Sequence, residues 1–311
     1  MVKHHNLSIN DFADIFGTTA AGIPNICKKI IKDSDFRYVI LTGKEREEVF
    51  LRVFRILLSD SLKVCGPHRK KDWEKGWTEN LDNFVQNKFK LEELIPKFVR
   101  KKEVVRFRGG YILPIDANFE TNFVKVLRYY IFTKYFSNVS KVFEFGCGTG
   151  LNLIAVSDLF PEMKLFGLDW SKASCKIVNE LSKKQNLNMK GLLFDMFSPD
   201  HKIEVDKDSA VFTIGAMEQL GTNYQSFLDF LIKKQPSIII NIEVNYEMLN
   251  ADSLFDYVAI KYIEKRNYLC GYFEKLHELE KQGKIDIIEY RETVGGLYHN
   301  GYPYVVWKPK V

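Results

Sequence analysis

The chain has 311 residues, of which 46% are hydrophobic and 27% charged, with a formal net charge of +5. With only 19 glycines and 9 prolines, and apolar residues throughout, collagen-like, coiled-coil and disordered classes are excluded. The charge is uneven: residues 1–140 carry 25 Lys and Arg against 17 Asp and Glu, whereas residues 141–311 carry 20 against 23.

The first 140 residues show no regular alternation of strands and helices. Glu45 to Leu58 and Asn80 to Val99 read as helices, and Val104 to Ile115 as a hairpin or arm centred on Gly109-Gly110. Asn118 to Phe136 is an apolar helix leading into a different pattern. From residue 141, short apolar runs alternate with amphipathic stretches. Lys141 to Phe145, Lys164 to Leu168, Met189 to Phe194, Ser209 to Ile214 and Ser237 to Ile242 read as strands. Leu151 to Phe160, a helix capped by Ser171 and reaching about Gln185, and Tyr224 to Lys234 read as the helices between them. One long amphipathic stretch, Asp252 to Lys281, closes at Gly283. The tail then changes period: Ile285 to Tyr290 and Tyr304 to Trp307 read as an antiparallel pair joined by a long loop. Alternating strands and helices predict a parallel sheet covered on both faces, with one antiparallel strand at the end.

The informative run is Val142-Phe143-Glu144-Phe145-Gly146-Cys147-Gly148-Thr149-Gly150-Leu151-Asn152. Its glycines lie between a strand and a helix, where a missing Cβ lets a ligand touch backbone at the helix N-terminus. Leu151 stands where the third glycine of a dinucleotide fingerprint would be. Two further acids end strands: Asp169, 23 residues after Gly146, and Asp195 beside Met196. Each alone also reads as a surface or capping acid. Three acids at successive strand ends point instead to a ligand at the carboxyl edge of the sheet.

These residues resemble the class I S-adenosylmethionine-dependent methyltransferases, over roughly residues 140–311. The resemblance implies a Rossmann-like α/β sheet in the order 3-2-1-4-5-7-6 with strand 7 antiparallel, helices on both faces and S-adenosyl-L-methionine as cofactor. Within that resemblance, Glu144, Gly146, Cys147 and Gly148 hold the methionine part, Asp169 the ribose, and Asp195 with Met196 the adenine. Trp170 packs on the adenosine, and Ile214 and Gly215 complete the site. The segment Ile214-Gly215-Ala216-Met217-Glu218-Gln219 departs from relatives that have Glu-His at its end, and a glutamine cannot act as a general base. The Asn/Asp-Pro-Pro-aromatic motif of amino-group methylating relatives is absent.

Residues 1–115 are expected to form a mainly helical cap that recognises the acceptor, and residues 116–311 the cofactor-binding domain. Glu243 and His299 are the candidate bases; Glu218, Asn245 and Tyr298 are candidate acceptor contacts. Each has a second reading, His299 as a loop residue and Glu243 as a structural acid. No metal-ligand spacing is present. The basic runs His68-Arg69-Lys70-Lys71 and Arg100-Lys101-Lys102, with Arg106 and Arg108, suit an anionic or sugar-containing metabolite or are simply solvated. Trp73, Trp77, Asn80 and Asn83 lie nearby, as an acceptor lining or as interface core. His4-His5 reads as a disordered start. The reading is a small-molecule methyltransferase, with O-methylation favoured. Two alternatives stay open: an RNA methyltransferase docking through the basic region, or a non-catalytic cofactor-binding protein. Five scattered cysteines without C-x-x-C, no signal peptide and no membrane-length apolar run suit a cytoplasmic protein.

Overall fold

A computed structural model of the chain describes residues 3–96 and 103–310. In the first part, β1 (His4–Asn6), α1 (Ile9–Ile15), α2 (Asn25–Asp33), β2 (Arg37–Ile40), α3 (Gly43–Leu58) and α4 (Lys70–Gln86) precede β3 (Val105–Phe107) and β4 (Gly110–Pro114). Helix α5 (Phe119–Tyr135) leads into β5 (Lys141–Phe145), α6 (Leu151–Leu159), β6 (Lys164–Asp169), α7 (Lys172–Gln185) and β7 (Met189–Leu193). Then come β8 (Ser209–Ile214), α8 (Gln225–Lys234), β9 (Ile238–Ile242), α9 (Leu254–Arg266), α10 (Tyr272–Lys281), β10 (Ile285–Arg291) and β11 (Tyr304–Pro309).

The main sheet has seven strands in the order β10-β11-β9-β8-β5-β6-β7. Strands β5 to β9 pair in parallel, and β11 runs antiparallel to both β9 and β10. Successive residues of the central strands enter opposite cores, as the two-residue strand period demands. Val142, Ala210, Phe212, Ile238 and Ile240 pack with Val126 and Phe132 of α5 and Ile177 and Leu181 of α7. Phe143, Val211, Ile239 and Trp307 pack instead with Phe227 of α8, Ile263 of α9 and Leu276 of α10. Asn241 lies wholly within this second layer, accepting from Tyr272 Oη at 2.8 Å and Trp307 Nε1 at 2.9 Å. Its Nδ2 donates to Thr213 Oγ1 at 3.0 Å, so no polar atom of this buried amide is wasted on an apolar neighbour.

The first part is mainly helical but also holds a small sheet that was not expected. Four short strands form a second, antiparallel sheet in the order β1-β2-β4-β3. His4 and His5 belong to it, pairing with Val39 and Tyr38, and the His5 ring stacks on Tyr38 at 5.4 Å. Strands of three to five residues are too short for alternation to stand out from loop sequence. The expected hairpin is present as β3 and β4, turning through Arg108 (φ 47°) and Gly109 (φ 74°). Helix α4 begins ten residues before the expected Asn80 and is followed by a short 3-10 turn, Leu91–Leu94; Val99 and Arg100-Lys101-Lys102 lie outside the described residues. The long C-terminal helical stretch is two helices, broken where Asn267 (φ 52°) and Gly271 (φ 81°) take left-handed backbone.

Both parts share one core. Phe12, Phe16, Phe36 and Phe84 of the first part pack in the same cluster as Phe123, Val142 and Phe212.

Candidate functional site

The carboxyl ends of β5, β6, β7 and β8 form one edge, and the glycine turn after β5 sits at its centre. Gly146 has φ 74°, and a Cβ there would lie 2.3 Å from Ala216 Cβ, so the turn closes against the segment after β8 only because glycine stands there. The Cys147 amide donates to Leu168 O at 3.1 Å, its carbonyl accepts from Gly150, and its thiol is buried beside Ser174 Oγ at 3.4 Å. Cys147 therefore builds the turn through its amide, carbonyl and thiol.

Glu144 is 1% exposed on the α5–α6 side of β5. Its Oε1 accepts from Asn152 Nδ2 at 2.6 Å, and Asn152 Oδ1 accepts from Arg128 Nη1 at 2.7 Å. Glu144 Oε2 and Arg128 Nε are both buried without a hydrogen-bond partner. Burial pushes the Glu144 carboxyl up to about 8, although Asn152 and Arg128 oppose this. A carboxyl and a guanidinium, each with one open valence and joined through a single amide, form a bracket for a group that is cationic at one end and anionic at the other. Arg128 had no sequence signal: it sits 16 residues before Glu144 among 45 Lys and Arg, and only packing of α5 on α6 brings it in.

Asp169 ends β6, 5% exposed. Its Oδ2 accepts from Gly148 N at 3.0 Å and Oδ1 from Ser171 N at 2.9 Å, tying the glycine turn to the start of α7. Burial raises its pKa to about 6 against these two amides. Each oxygen retains a second lone pair for a ligand hydroxyl. Asp195 accepts from Phe197 N at 3.0 Å, and Met196 Cε lies 3.7 Å from the position a Gly146 Cβ would take. Trp170 stacks on Phe197 at 5.9 Å. Gly215 (φ 58°) is exposed, with open space where a Cβ would stand; Ile214 is half-buried just before it.

Helix α4 lies across this edge. Lys70, Trp73, Glu74 and Trp77 share one face, since they are spaced at helical intervals. Lys70 Nζ pairs with Asp195 at 3.1 Å, Trp73 Nε1 donates to Gln219 Oε1 at 3.2 Å, and Glu74 Oε2 accepts from Lys172 N at 2.8 Å. The Trp77 ring stands 3.1 Å from where a Gly148 Cβ would be, and the two indoles stack at 5.4 Å. Gln219, the departure from the Glu-His pattern, is thus a latch for this lid. Asn80 on the same helix is buried and donates to Glu93 O at 2.8 Å, a structural use.

The remaining candidates gather on the other side of β8. Glu218 is raised to about 8 by burial and by Glu243, with Arg266, Gln219 and the Tyr268 hydroxyl opposing. Glu243 is wholly buried: Oε1 accepts the Ala216 amide at 3.0 Å, the Met217 and Glu218 amides face the same carboxylate, and Oε2 has no partner. It holds the segment after β8 in place. Asn245 Oδ1 accepts the Glu247 and Met248 amides at 3.0 and 3.3 Å and its Nδ2 donates one hydrogen to Tyr290 Oη, so the side chain caps its own loop and keeps one N–H. His299, in the β10–β11 loop, lies against Tyr262 (5.8 Å) and edge-on to Tyr268 (5.7 Å). Its Nδ1 is 2.9 Å from Asn300 O, a carbonyl that can only accept, so Nδ1 carries the proton and Nε2 presents a lone pair. Tyr298 stacks on Tyr262 at 4.7 Å.

Much of the positive charge expected at the acceptor is neutralised. Arg106 is 1% exposed and bonds Asp256 at 2.7 Å, Phe255 O and Asn300 Oδ1, clamping β3 to α9 and the β10–β11 loop. Arg108 pairs with Asp14 at 2.6 Å. Among the described residues, no group of three or more His, Cys, Asp and Glu is placed to hold a metal, and no helix is long and apolar enough to cross a membrane.

No family model and no curated protein matches the sequence. Among solved structures, the chain is similar to S-adenosylmethionine-dependent methyltransferases. A geranyl diphosphate methyltransferase in complex with geranyl diphosphate and sinefungin aligns at TM-score 0.47 and 10% identity, over 78% of this chain and 99% of that one. The plantazolicin methyltransferase BpumL aligns at TM-score 0.46 and 14% identity, over 78% and 98%. A SAM-dependent methyltransferase from Aquifex aeolicus aligns at TM-score 0.39 and 16% identity, over 58% and 87%.

Proposed function

We propose that the chain is an S-adenosylmethionine-dependent methyltransferase acting on a small hydroxylated acceptor. The observation that carries this is the bracket of Glu144 Oε2 and Arg128 Nε, the open valences of a carboxyl and of a guanidinium beside the glycine turn. The amino-acid end of S-adenosylmethionine matches it, with an ammonium for Glu144 and a carboxylate for Arg128. A nicotinamide dinucleotide has no such end. Asp169 takes the ribose hydroxyls on its free lone pairs, Asp195 and Met196 the adenine, and Trp77 closes the roof and excludes water. The cofactor supplies a methyl group on a sulfonium, already electrophilic, so alignment does most of the catalytic work. His299 Nε2 accepts the proton of an acceptor hydroxyl. Lys70, Arg106 and Arg108, three of the cations on which the RNA alternative drew, are engaged within the protein, which favours the small acceptor.

Calorimetry with S-adenosylhomocysteine tests the reading. Micromolar binding is expected, weakened about 10-fold or more by Asp169→Ala, in line with the ~1.5–3 kcal/mol of hydrogen bonds to a charged group. Absence of binding to the wild-type chain overturns it. The lid makes a second prediction: Trp73→Phe removes the bond to Gln219, worth ~1 kcal/mol, and so speeds release of S-adenosylhomocysteine about 5-fold in stopped flow. An unchanged release rate would mean that this bond does not hold the lid.

A further inference from the structure

Helix α3 has two faces of opposite character. Val49, Phe50 and Val53 turn inward and pack in one cluster with Tyr111, Phe255 and Val258. The outward face carries Glu48 towards one end, Arg55 towards the other, and Leu51, Phe54 and Leu58 along its length, all exposed. At 3.6 residues per turn these positions share about a third of the circumference. Leu51 is 53% exposed, Phe54 36% and Leu58 84%. One exposed leucine is ordinary, but three large apolar side chains along a single stripe mark a contact surface. The stripe is also fixed in advance. Lys265 of α9 donates to Leu57 O and Ser59 O, each at 2.6 Å, and so pins the end of the helix. Docking on it therefore orders little that is not already ordered.

The charges on the stripe say what covers it. Arg46 lies over Phe50 at 5.3 Å and Arg52 donates to Glu103 at 2.7 Å, so both are used within the chain. Among the described residues, Arg55 and Glu48 make no ion pair. They stand seven residues apart on one helix, about 10 Å, too far to meet each other. No acid lies three or four residues to either side of Arg55. A two-fold axis passing through Leu51 at right angles to the helix lays a second α3 antiparallel on the first. Positions 48 and 55 lie three and four residues to either side of 51, on the same flank of the stripe. The axis therefore brings Glu48 of each copy to Arg55 of the other, twice over. Leu51 meets Leu51 at the centre, and the methylene stem of Lys44 covers Leu58 at each end. A parallel pairing would instead set Glu48 against Glu48 and Arg55 against Arg55.

We propose that the outward face of α3 is a self-complementary dimer interface, on which two copies of the chain pack antiparallel. One helix pair covers less than the ~1,200 Å² at which standard interfaces begin, so the dimer is a weak one, with micromolar affinity. The inference is independent of the methyltransferase reading, since no residue of the stripe belongs to the cofactor edge.

Sedimentation velocity of the full chain between ~5 and ~500 µM tests it. The expected result is a shift from monomer to dimer across that range. Leu51→Glu weakens association at least 10-fold, because it sets two carboxylates against each other at the centre. Glu48→Arg and Arg55→Glu each weaken it about 5- to 10-fold, since like charges then face each other at two symmetric places. An equimolar mixture of the Glu48→Arg and Arg55→Glu chains dimerises again, as each supplies the charge that the other has lost. Monomer at every concentration, or a dimer indifferent to Leu51→Glu, overturns the proposal. A monomer that floats with phosphatidylglycerol vesicles overturns it too, and gives the stripe to a membrane surface. A dimer that Leu51→Glu breaks and the mixture does not rebuild overturns the antiparallel pairing. Far-UV circular dichroism confirms the fold of each variant, and should Leu51→Glu fail to fold, the mixture decides.

Discussion

Arg128→Met lowers affinity for S-adenosylhomocysteine about 10- to 150-fold and leaves 5′-methylthioadenosine binding unchanged. The size is that of one hydrogen bond between charged groups, ~1.5–3 kcal/mol. The contrast between ligands is the sharper part, because 5′-methylthioadenosine keeps the nucleoside but lacks the amino-acid end. Arg128 bonds Asn152, which bonds Glu144, so the substitution removes the anion-binding arm of the bracket without touching Asp169 or Asp195. Methionine retains the length of the side chain in the α5–α6 interface. Parallel calorimetry with the two ligands decides it. Equal losses for both would mean that Arg128 supports the fold of the glycine turn rather than a carboxylate.

The unliganded protein is expected to lose thermal stability as pH rises from about 5 to 8. The cause is an unusual number of buried acids at one edge. Burial raises Glu144 and Glu218 to about 8, Glu243 to about 7 and Asp169 to about 6. Each keeps a proton in the folded state that the unfolded chain has already released, near pH 4.5 for Glu and 3.8 for Asp. Their contribution is complete below those unfolded values and is lost as pH climbs through the folded ones, by up to ~1.4 kcal/mol per proton per pH unit. His299 acts in the opposite sense. Its folded pKa falls from 6.5 to about 4, so the unfolded chain gains a proton first and stability drops as pH falls below 6.5. Together these place the maximum in the mildly acidic range. Differential scanning fluorimetry should show Tm falling by about 5 °C or more between pH 5.5 and 8, since a kcal/mol moves Tm by ~2–4 °C in chains of 150–250 residues. S-adenosylhomocysteine should flatten the fall, because an ammonium beside Glu144 favours its charged form. A flat or rising profile without ligand would contradict the burial of these acids.

What the sequence made legible follows from how local the signal is. Glu144, Gly146, Asp169 and Asp195 could be found because each ends a strand or opens a helix, and strand ends show in the hydropathy pattern. Arg128 could not, as it is one cation on an amphipathic helix whose partner lies on another. Trp73 and Trp77 were visible as a pair, but their target was not: the helix register shows that they share a face, and only tertiary packing sets that face on Gly148 and Gln219. Asn245 is ambiguous for a related reason. A polar residue just after a strand can serve a ligand or cap its own loop, and in this chain the Glu247 and Met248 amides claim it. Arg106 and Arg108 were counted as free charge, whereas their partners, Asp256 and Asp14, lie far along the chain. The small first sheet escaped because its strands are short and their pairing is long-range.

Helix α4 carries the roofing stripe of Lys70, Trp73, Glu74 and Trp77, and Arg69 stands at its leading end. That stripe reaches Asp195, Gln219, the start of α7 at Lys172 and the glycine turn at Gly148, so one helix is fastened at once to the segments that follow β5, β7 and β8. A continuous helix behaves as a rod, so these four fastenings hold or give way together rather than one at a time.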